Sequence, residues 1–188
     1  HLVARRVALV DHGLDVRSVR RITCSRMFIS ALDLFKVGIG PSSSHTMGPM
    51  VAAAAFRRSI SRHVSRGDLT LGAGSSLRVI LKGSLAWTGK GHATDRAVVL
   101  GLNGYSPRGL IQEDVNALMG DLWQRIRIET DDWSLGFAPP DDVVFDRGDP
   151  LPEHPNGMVF QVISGDAVVH ERIYFSIGGG FIRGEDDI

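Results

Sequence analysis

Four hydroxyl groups and one imidazole follow one another in the segment GIGPSSSHTMGPM, residues 38–50. The segment ends where an alanine-rich helix is predicted to begin, and a helix N-terminus offers unpaired amides and a positive dipole to a carboxylate or phosphate. The hydroxyls of residues 42–44 and Thr46 can donate to such an anion, and His45 can change its charge near neutral pH. Capping a helix needs only one hydroxyl. We therefore favour a small-anion site, with simple capping as the alternative.

A second polar segment, TGKGHATD at residues 88–95, follows a predicted strand and leads into another predicted helix. His92 and Asp95 are three residues apart and would share one helix face, where the carboxylate could orient the imidazole or stabilise its charge. On spacing alone, a helix cap formed by Thr94 or Asp95 beside a solvated Lys90 is the better interpretation.

Two later segments contain polar or flexible residues that could approach a site. EHPNGM, residues 153–158, brings His154 and Asn156, but asparagine followed by glycine is a common turn pair, so a turn is favoured. SIGGGF, residues 176–181, has three successive glycines, which indicate a strained crossing, a close contact or a hinge. Neither segment predicts chemistry by itself.

No common catalytic or metal-binding motif is complete in this sequence. GSLAWTGKG, residues 83–91, fails the P-loop template because five residues separate its first two glycines and glycine follows the lysine. The sequence contains no HExxH, CxxC or GxSxG motif. The histidines at positions 45, 92, 154 and 170 are too irregularly spaced to indicate a zinc site. The serine-rich segment at residues 42–46 therefore remains the stronger candidate for a binding site.

The helices and strands that position these segments can be read from hydrophobic periodicity. Helices are predicted at residues 46–64, 92–102 and 112–122, with Thr46 as the N-cap of the first, and a helical turn at residues 30–35. Strands are predicted at residues 77–82, 124–129, 143–145, 157–163 and 168–176. Residues 131–155 are expected to be mostly loop around one short edge strand. Early helices and clustered late strands favour an α/β or α+β fold, with a mixed sheet packed against helices.

The composition excludes several classes of protein. Lysine and arginine together number 21, as do aspartate and glutamate, so the chain lacks the basic excess that nucleic acids and anionic membranes require. Its longest apolar stretches, such as residues 51–56, are too short to span a bilayer. The only cysteine, Cys24, cannot form an internal disulfide or hold an iron–sulfur cluster. A lone thiol fits a reducing cytoplasm.

The first 26 residues differ in composition from the rest of the chain. They carry six arginines and no lysine, and Met27 follows them as a natural start. We therefore expect residues 1–26 to be an extension that is disordered or non-native, and residues 27–188 to form the folded domain.

Four motifs, in this order and spacing, closely resemble the N-terminal (β) domain of bacterial iron–sulfur L-serine dehydratases: DLFKVGIGPSSSHTMGPM, GSLAWTGKGHATDRAVVLGL, HPNGM and YFSIGGGFI. The resemblance runs from about Met27 to Ile188. It implies an α+β unit similar to the allosteric substrate-binding domain of phosphoglycerate dehydrogenase. It also implies a catalytic (α) domain as partner, either later in the same chain or in a separate chain.

The resemblance further implies the conversion of L-serine to pyruvate and ammonia, a reaction of amino-acid metabolism and gluconeogenesis. In this family a [4Fe–4S] cluster acts as a Lewis acid on the substrate hydroxyl, and its cysteines lie in the α domain. This chain alone is therefore expected to bind no cluster and to be inactive. The expected partners are L-serine, the α domain and, as an open alternative, a second copy of the chain, with no nucleic acid and no membrane.

Transferred position by position, the resemblance assigns His45 and His92 to substrate binding or proton transfer at the active site. It also places further polar residues in the substrate site: Ser42, Ser43, Ser44, Thr46, Lys90, Asp95 and Asn156. The alternative function is a stand-alone regulatory module that binds serine or another small anion without chemistry. A metal hydrolase that uses the histidines is a more distant alternative.

Overall fold

A seven-stranded mixed sheet with helices packed against it makes up residues 42–185, the part of the chain that the computed structural model describes. The helices are α1 (Met47–Arg66), α2 (Ser84–Thr88), α3 (Thr94–Leu102), α4 (Val115–Leu122) and α5 (Pro139–Asp142). The strands are β1 (Ser76–Leu81), β2 (Arg127–Glu129), β3 (Ser134–Gly136), β4 (Val143–Phe145), β5 (Gly157–Ser164), β6 (Ala167–Gly178) and β7 (Phe181–Gly184). The predicted α+β class is confirmed.

The sheet is organised around β1, and its strand order is β2-β3-β1-β5-β6-β7. One edge of β1 pairs in parallel with β3 and then with β4, while the other edge pairs antiparallel with β5. Strands β5, β6 and β7 continue as an antiparallel ladder. The sheet is therefore mixed, as the alternation of early helices and late strands predicted.

The core forms where helix α1 meets the sheet, and both elements show the expected periodicity. In α1 the fully buried apolar side chains recur every three or four residues, at Met50, Ala53, Phe56 and Ile60. In β1 alternate side chains are buried, at Leu77, Val79 and Leu81. Helices α1 and α3 approach closely at Gly101, where a Cβ atom would lie 2.3 Å from the Met50 carbonyl oxygen.

The helix predicted at residues 92–102 is divided into two parts. A 3-10 turn occupies Gly89–His92, and α3 begins only at Thr94, because Ala93 adopts a left-handed φ of 57° that interrupts the helical path. The helix predicted at residues 112–122 is likewise a 3-10 turn, Gly109–Gln112, followed by α4. Local interruptions of this kind place His92 at the end of a tight turn instead of inside a helix.

The three glycines at residues 178–180 form a hairpin turn at the end of β6, and of the alternatives drawn from the sequence the close contact is the one observed. Gly179 and Gly180 make a two-residue turn between the paired residues Gly178 and Phe181, with φ values of 62° and 80°. Only glycine adopts positive φ at both central positions without strain. The turn also makes a close contact, because a Cβ atom on Gly180 would lie 3.2 Å from the Met47 side chain.

The helical turn predicted at residues 30–35 and the extension predicted at residues 1–26 lie outside the described residues. Between residues 42 and 185, no helix combines the length and apolar character that crossing a bilayer requires.

Candidate active site

The two polar segments singled out in the sequence meet at neighbouring helix starts. His45 lies in the turn before α1, and His92 ends the 3-10 turn before α3. Their ring centroids are 4.8 Å apart, with the ring planes tilted by 52°. Because α1 and α3 pack closely at Gly101, the segments that precede them also lie together. The structure therefore brings together the two histidines to which the sequence assigned chemistry.

Two buried threonines connect the main chains of these segments. The Thr94 hydroxyl donates to the His45 carbonyl over 2.6 Å, and the Thr46 hydroxyl donates to the His92 carbonyl over 3.3 Å. Thr46 lies at the N-cap position of α1 but its side chain caps no amide there, so the capping role predicted for it is wrong. Thr46 is buried, and its hydroxyl donates instead to the His92 carbonyl of the second segment.

Both ring nitrogens of His45 have hydroxyl partners. Nδ1 lies 3.0 Å from Ser44 Oγ and 3.4 Å from Ser42 Oγ, within its own segment. Nε2 lies 2.9 Å from Thr88 Oγ1 and 3.2 Å from Ser84 Oγ, both on helix α2. The hydroxyls of Ser42 and Ser44 thus orient the imidazole through Nδ1, and helix α2 supplies the hydrogen-bond partners of Nε2.

The position of the proton on neutral His45 follows from the hydrogen bonds of Thr88. A hydroxyl has one proton, and Thr88 donates it to the Ser84 carbonyl oxygen over 2.8 Å. With the Thr88 proton directed to Ser84, we infer that Thr88 Oγ1 accepts from His45 Nε2–H and that Nδ1 accepts from the Ser44 hydroxyl. Burial and then the nearby His92 lower the pKa of His45 below its usual value of 6.5, so the ring is neutral at neutral pH.

His92 differs from His45 because its Nδ1 atom is buried and has no hydrogen-bond partner among the described residues. An unpaired buried polar atom costs about 1–3 kcal/mol, and a molecule bound beside the ring could supply the missing partner. Asp95 does not supply it, although the sequence suggested that pairing. Its carboxylate accepts from the Arg96 amide over 2.9 Å, because the break at Ala93 separates His92 from the face of α3.

Lys90 and Asp95 line an open groove of about 570 Å³, together with Ala93, Arg96, Met119 and Trp123. Residues on both sides of His92 in the sequence line this groove, but neither histidine does. Burial raises the pKa of Asp95, and this increase is opposed by the amide of Arg96 and by the charge of Lys90. Lys90 is exposed, and its ammonium lies 5.6 Å from the centre of the Phe145 ring. The groove therefore presents two cations, Lys90 and Arg96, and one carboxylate, Asp95, on the same surface.

The first turn of α1 is occupied by the chain's own atoms. The amide of Gly48 donates to the Ser43 carbonyl over 3.0 Å, and that of Met50 donates to the Thr46 carbonyl over 3.1 Å. Ser176 covers the turn from β6, since a Cβ atom on Gly48 would lie 2.0 Å from Ser176 Oγ. These amides are therefore not offered to an anion, contrary to the interpretation of the serine-rich segment as an anion site at the helix N-terminus.

Asn156 supports the site from a distance through Ser176. Its side-chain amide donates to the Ser176 carbonyl over 3.2 Å, and its own carbonyl accepts from the Ser176 amide over 3.0 Å. Ser176 Oγ in turn donates to the Ser44 carbonyl over 2.7 Å. His154 accepts from the Asn156 amide over 3.1 Å and stays within the turn that the sequence predicted.

The same turn also holds helix α2. The Ser84 amide donates to the Pro155 carbonyl over 2.7 Å. Gly83 allows this approach, because a Cβ atom there would lie 2.2 Å from the Pro155 carbonyl oxygen. Hydrogen bonds thus connect the serine segment to β6, β6 to the turn at residues 153–158, and that turn to α2, which contacts His45 and so closes a ring of contacts around it.

Three residues of this arrangement were not identified from the sequence: Ser84, Thr88 and Ser176. Ser84 and Thr88 are four residues apart, so both face the same side of α2, and that spacing was the available signal. Ser176 is a buried polar residue beside the buried Phe175 in β6, a feature that often indicates a hydrogen-bonded role.

Residues 42–185 contain no group of three or more His, Cys, Asp or Glu side chains arranged to hold a metal ion. The rings of His170 and His63 contact each other, with centroids 4.6 Å apart, and form a second histidine contact besides that of His45 with His92. Cys24, the only cysteine of the sequence, lies outside the described residues. The described residues therefore do not fit a [4Fe–4S] cluster, which takes cysteine ligands.

The fold and the histidine contact define an α+β domain with a polar site built from imidazoles and hydroxyls. The sequence model of the family described as serine dehydratase beta chain matches residues 30–187. The chain belongs to the serine dehydratase beta chain family.

Individual relatives carry the name L-serine dehydratase. The chain is 43% identical over 164 residues to one from Streptomyces coelicolor, covering 86% of this chain and 35% of the relative. It is 41% identical over 160 residues to L-serine dehydratase TdcG of Escherichia coli, covering 84% and 34%. It is 37% identical over 164 residues to an L-serine dehydratase of Helicobacter pylori, covering 85% and 34%. The chain thus spans about a third of the length of these relatives.

Proposed function

We propose that this chain is the β part of an L-serine dehydratase and forms one side of the serine site. The observation that carries the proposal is the contact between His45 and His92, in which one imidazole is fully hydrogen-bonded and the other has a buried nitrogen without a partner. The family membership and the names of the relatives support it.

Deamination of L-serine to pyruvate and ammonia requires removal of a proton from the α-carbon and departure of the hydroxyl, so groups that accept and donate protons must be placed beside the substrate. A neutral imidazole can do either. In this proposal His45 and His92 bind serine or transfer its protons, and the free Nδ1 of His92 contacts the substrate. The hydroxyls of Ser42 and Ser44 keep the His45 ring in place.

The groove lined by Lys90 and Asp95 fits the charges of an amino acid. Lys90 can pair with the substrate carboxylate, and Asp95 can pair with the substrate ammonium group. In the proposed site Ser43, Thr46 and Asn156 hold the backbone that presents the histidines, through the contacts of their main-chain or side-chain atoms.

The second side of the site belongs, in this proposal, to a catalytic (α) domain that packs on this chain. The [4Fe–4S] cluster implied by the family resemblance is assigned to that domain, since residues 42–185 offer no ligand group for it. The single cysteine of the sequence supports a cytoplasmic location for the complex. A homodimer of this chain is a further proposal, and sedimentation of the purified complex tests it.

The test uses the enzyme assembled from this chain and the cysteine-bearing catalytic domain. We expect serine-dependent pyruvate formation, and we expect His45→Ala and His92→Ala each to lower kcat/KM by about 10²–10⁴-fold, the usual contribution of a positioned proton-transfer group. His63→Ala, a histidine near the far end of α1, is the matched control and should retain activity.

Three outcomes decide between the alternatives. Full activity of both His45→Ala and His92→Ala would show that the site is assigned to the wrong residues. Absence of pyruvate formation by the wild-type complex, with its cluster present, would overturn the proposed function. Calorimetric binding of serine to this chain without the catalytic domain would instead support the regulatory-module alternative.

A further inference from the structure

A pocket of about 280 Å³ lies between the middle of α1 and strands β6 and β7. Three arginines line it, Arg58 and Arg62 from α1 and Arg172 from β6, together with one carboxylate, Glu185. Asp186 and Asp187 follow in the sequence and lie outside the described residues.

The two arginines of α1 carry charges that no described side chain neutralises. Ion pairs within residues 42–185 join Lys82 to Asp146 and Arg125 to Asp121, and neither Arg58 nor Arg62 takes part in one. The two arginines are four residues apart, so they lie on the same face of the helix and repel each other. An anion between them would remove this repulsion.

The wall of the pocket contains a hydroxyl that contacts His170, a histidine outside the lining. Ser59 lines the pocket, and its Oγ lies 3.1 Å from Nε2 of His170. Burial, then the neighbouring His63 and Arg172, lower the pKa of His170 to about 4. His170 is therefore neutral near neutral pH and adds no positive charge beside the pocket.

We propose that this pocket binds a small oxyanion, either a phosphate or a carboxylate. The planar guanidinium groups of Arg58 and Arg62, one turn apart on α1, can form paired hydrogen bonds to the oxygens of such an ion. The volume suits a small ion, since pockets for drug-sized molecules range from about 300 to 1,000 Å³. Arg58 lies roughly three turns, or about 16 Å, along α1 from Met47. The oxyanion site is therefore separate from the proposed serine site and goes beyond the proposed function.

The experiment titrates inorganic phosphate and, in a second arm, succinate into the 188-residue chain near neutral pH, with ionic strength held constant by sodium chloride. Calorimetry and the thermal unfolding midpoint report binding. The pocket variant is Arg58→Gln/Arg62→Gln, and Arg62→Gln alone is a milder version. The matched control is Arg66→Gln/Arg78→Gln, which removes the same number of charges from exposed positions outside the pocket.

We expect the wild-type chain and the control variant to bind with the same dissociation constant, and the pocket variant to bind at least about tenfold more weakly. The arm with the tighter binding identifies the ion as a phosphate or a carboxylate. Equal binding by the pocket and control variants would overturn the proposal, because the effect would then come from general charge. Midpoints that rise no more with phosphate or succinate than with chloride would overturn it as well.

Discussion

The Thr94 hydroxyl donates to the carbonyl of His45 over 2.6 Å, while the Thr46 hydroxyl donates to the carbonyl of His92. Each histidine is therefore held through its main chain by a threonine from the segment that carries the other histidine. These two reciprocal hydrogen bonds lie at the N-terminal ends of α1 and α3. The distance between the two rings depends on both hydrogen bonds.

Thr94→Val should destabilise the domain, because it replaces a fully buried hydroxyl by a methyl group of similar size and leaves the His45 carbonyl without that donor. We expect a loss of about 1–3 kcal/mol in the free energy of unfolding, measured with urea. Thr70→Val, at an exposed position, is the control and should change stability by less than about 0.5 kcal/mol. Equal effects of the two changes would contradict the role of Thr94.

Thr88→Val should change the tautomer of His45 without unfolding the domain. The wild-type neutral ring is expected to carry its proton on Nε2, because Thr88 can only accept there. Nitrogen chemical shifts of His45 should show this form in the wild-type chain and a mixture in the valine variant. Thr88→Ser keeps the hydroxyl and should restore the wild-type shifts. A wild-type ring protonated on Nδ1 would contradict the assignment.

Gly48→Ala should destabilise the domain although alanine is the better helix former. Its Cβ atom would lie 2.0 Å from Ser176 Oγ and 2.8 Å from Ser176 Cβ, so β6 or α1 would have to move. Overpacking of this kind costs about 1–3 kcal/mol. The same change also disturbs the hydrogen bond from Ser176 to Ser44, so activity of the assembled enzyme should fall with stability.

The matched control for this change is Gly120→Ala in α4, where no atom lies within 4 Å of the added Cβ. Here the helix propensity of alanine should stabilise the domain by up to about 1 kcal/mol. Opposite signs for the two substitutions in urea unfolding are the expected result. A stabilising effect of Gly48→Ala would show that Ser176 does not pack closely on α1.

Stability should fall in acid because of His170. Its pKa is about 4 in the folded chain and 6.5 as a reference, so the unfolded chain takes up a proton that the folded chain does not. The free energy of unfolding is therefore highest above pH 6.5 and decreases as the pH falls to about 4. Because the ring is only partly buried, we expect a loss of about 1–2 kcal/mol over this range.

Urea unfolding of the wild-type chain and of His170→Asn across the same pH range measures this effect. His45 has a pKa shifted in the same direction, so the difference between the two curves isolates His170. Parallel curves would contradict the prediction. A direct NMR titration of His170 provides a second measurement of its pKa.

The longer elements of the fold could be predicted because their periodicity reflects burial on one face. Helix α1, predicted at residues 46–64, is observed at Met47–Arg66, and β1, predicted at residues 77–82, is observed at Ser76–Leu81. Strand β3 and helix α2 have only three and five residues, too few to show a period. Strand β3 depends on pairing with β1 and β2, partners that no local pattern reveals.

The candidate site could be predicted only as far as its histidines. His45 and His92 lie in polar segments that precede helices, and the sequence singled out both. Ser84 and Ser176 could not be identified, because their contacts with the His45 segment join residues 39 and 132 positions apart. Thr46 shows how a local rule fails: its position is that of a cap, but its hydroxyl donates to the carbonyl of His92 in the other segment.

The hydrogen bond from Ser176 to Ser44 determines when during folding the site can form. The two residues are 132 positions apart, and β6 must pair with β5 before Ser176 can reach the serine segment. During synthesis, which proceeds from the N-terminus, His45 leaves the ribosome long before the strand that supports its backbone. Contacts between residues so far apart in sequence form slowly. The histidine pair is therefore expected to reach its final geometry among the last events of folding, after the helices have formed.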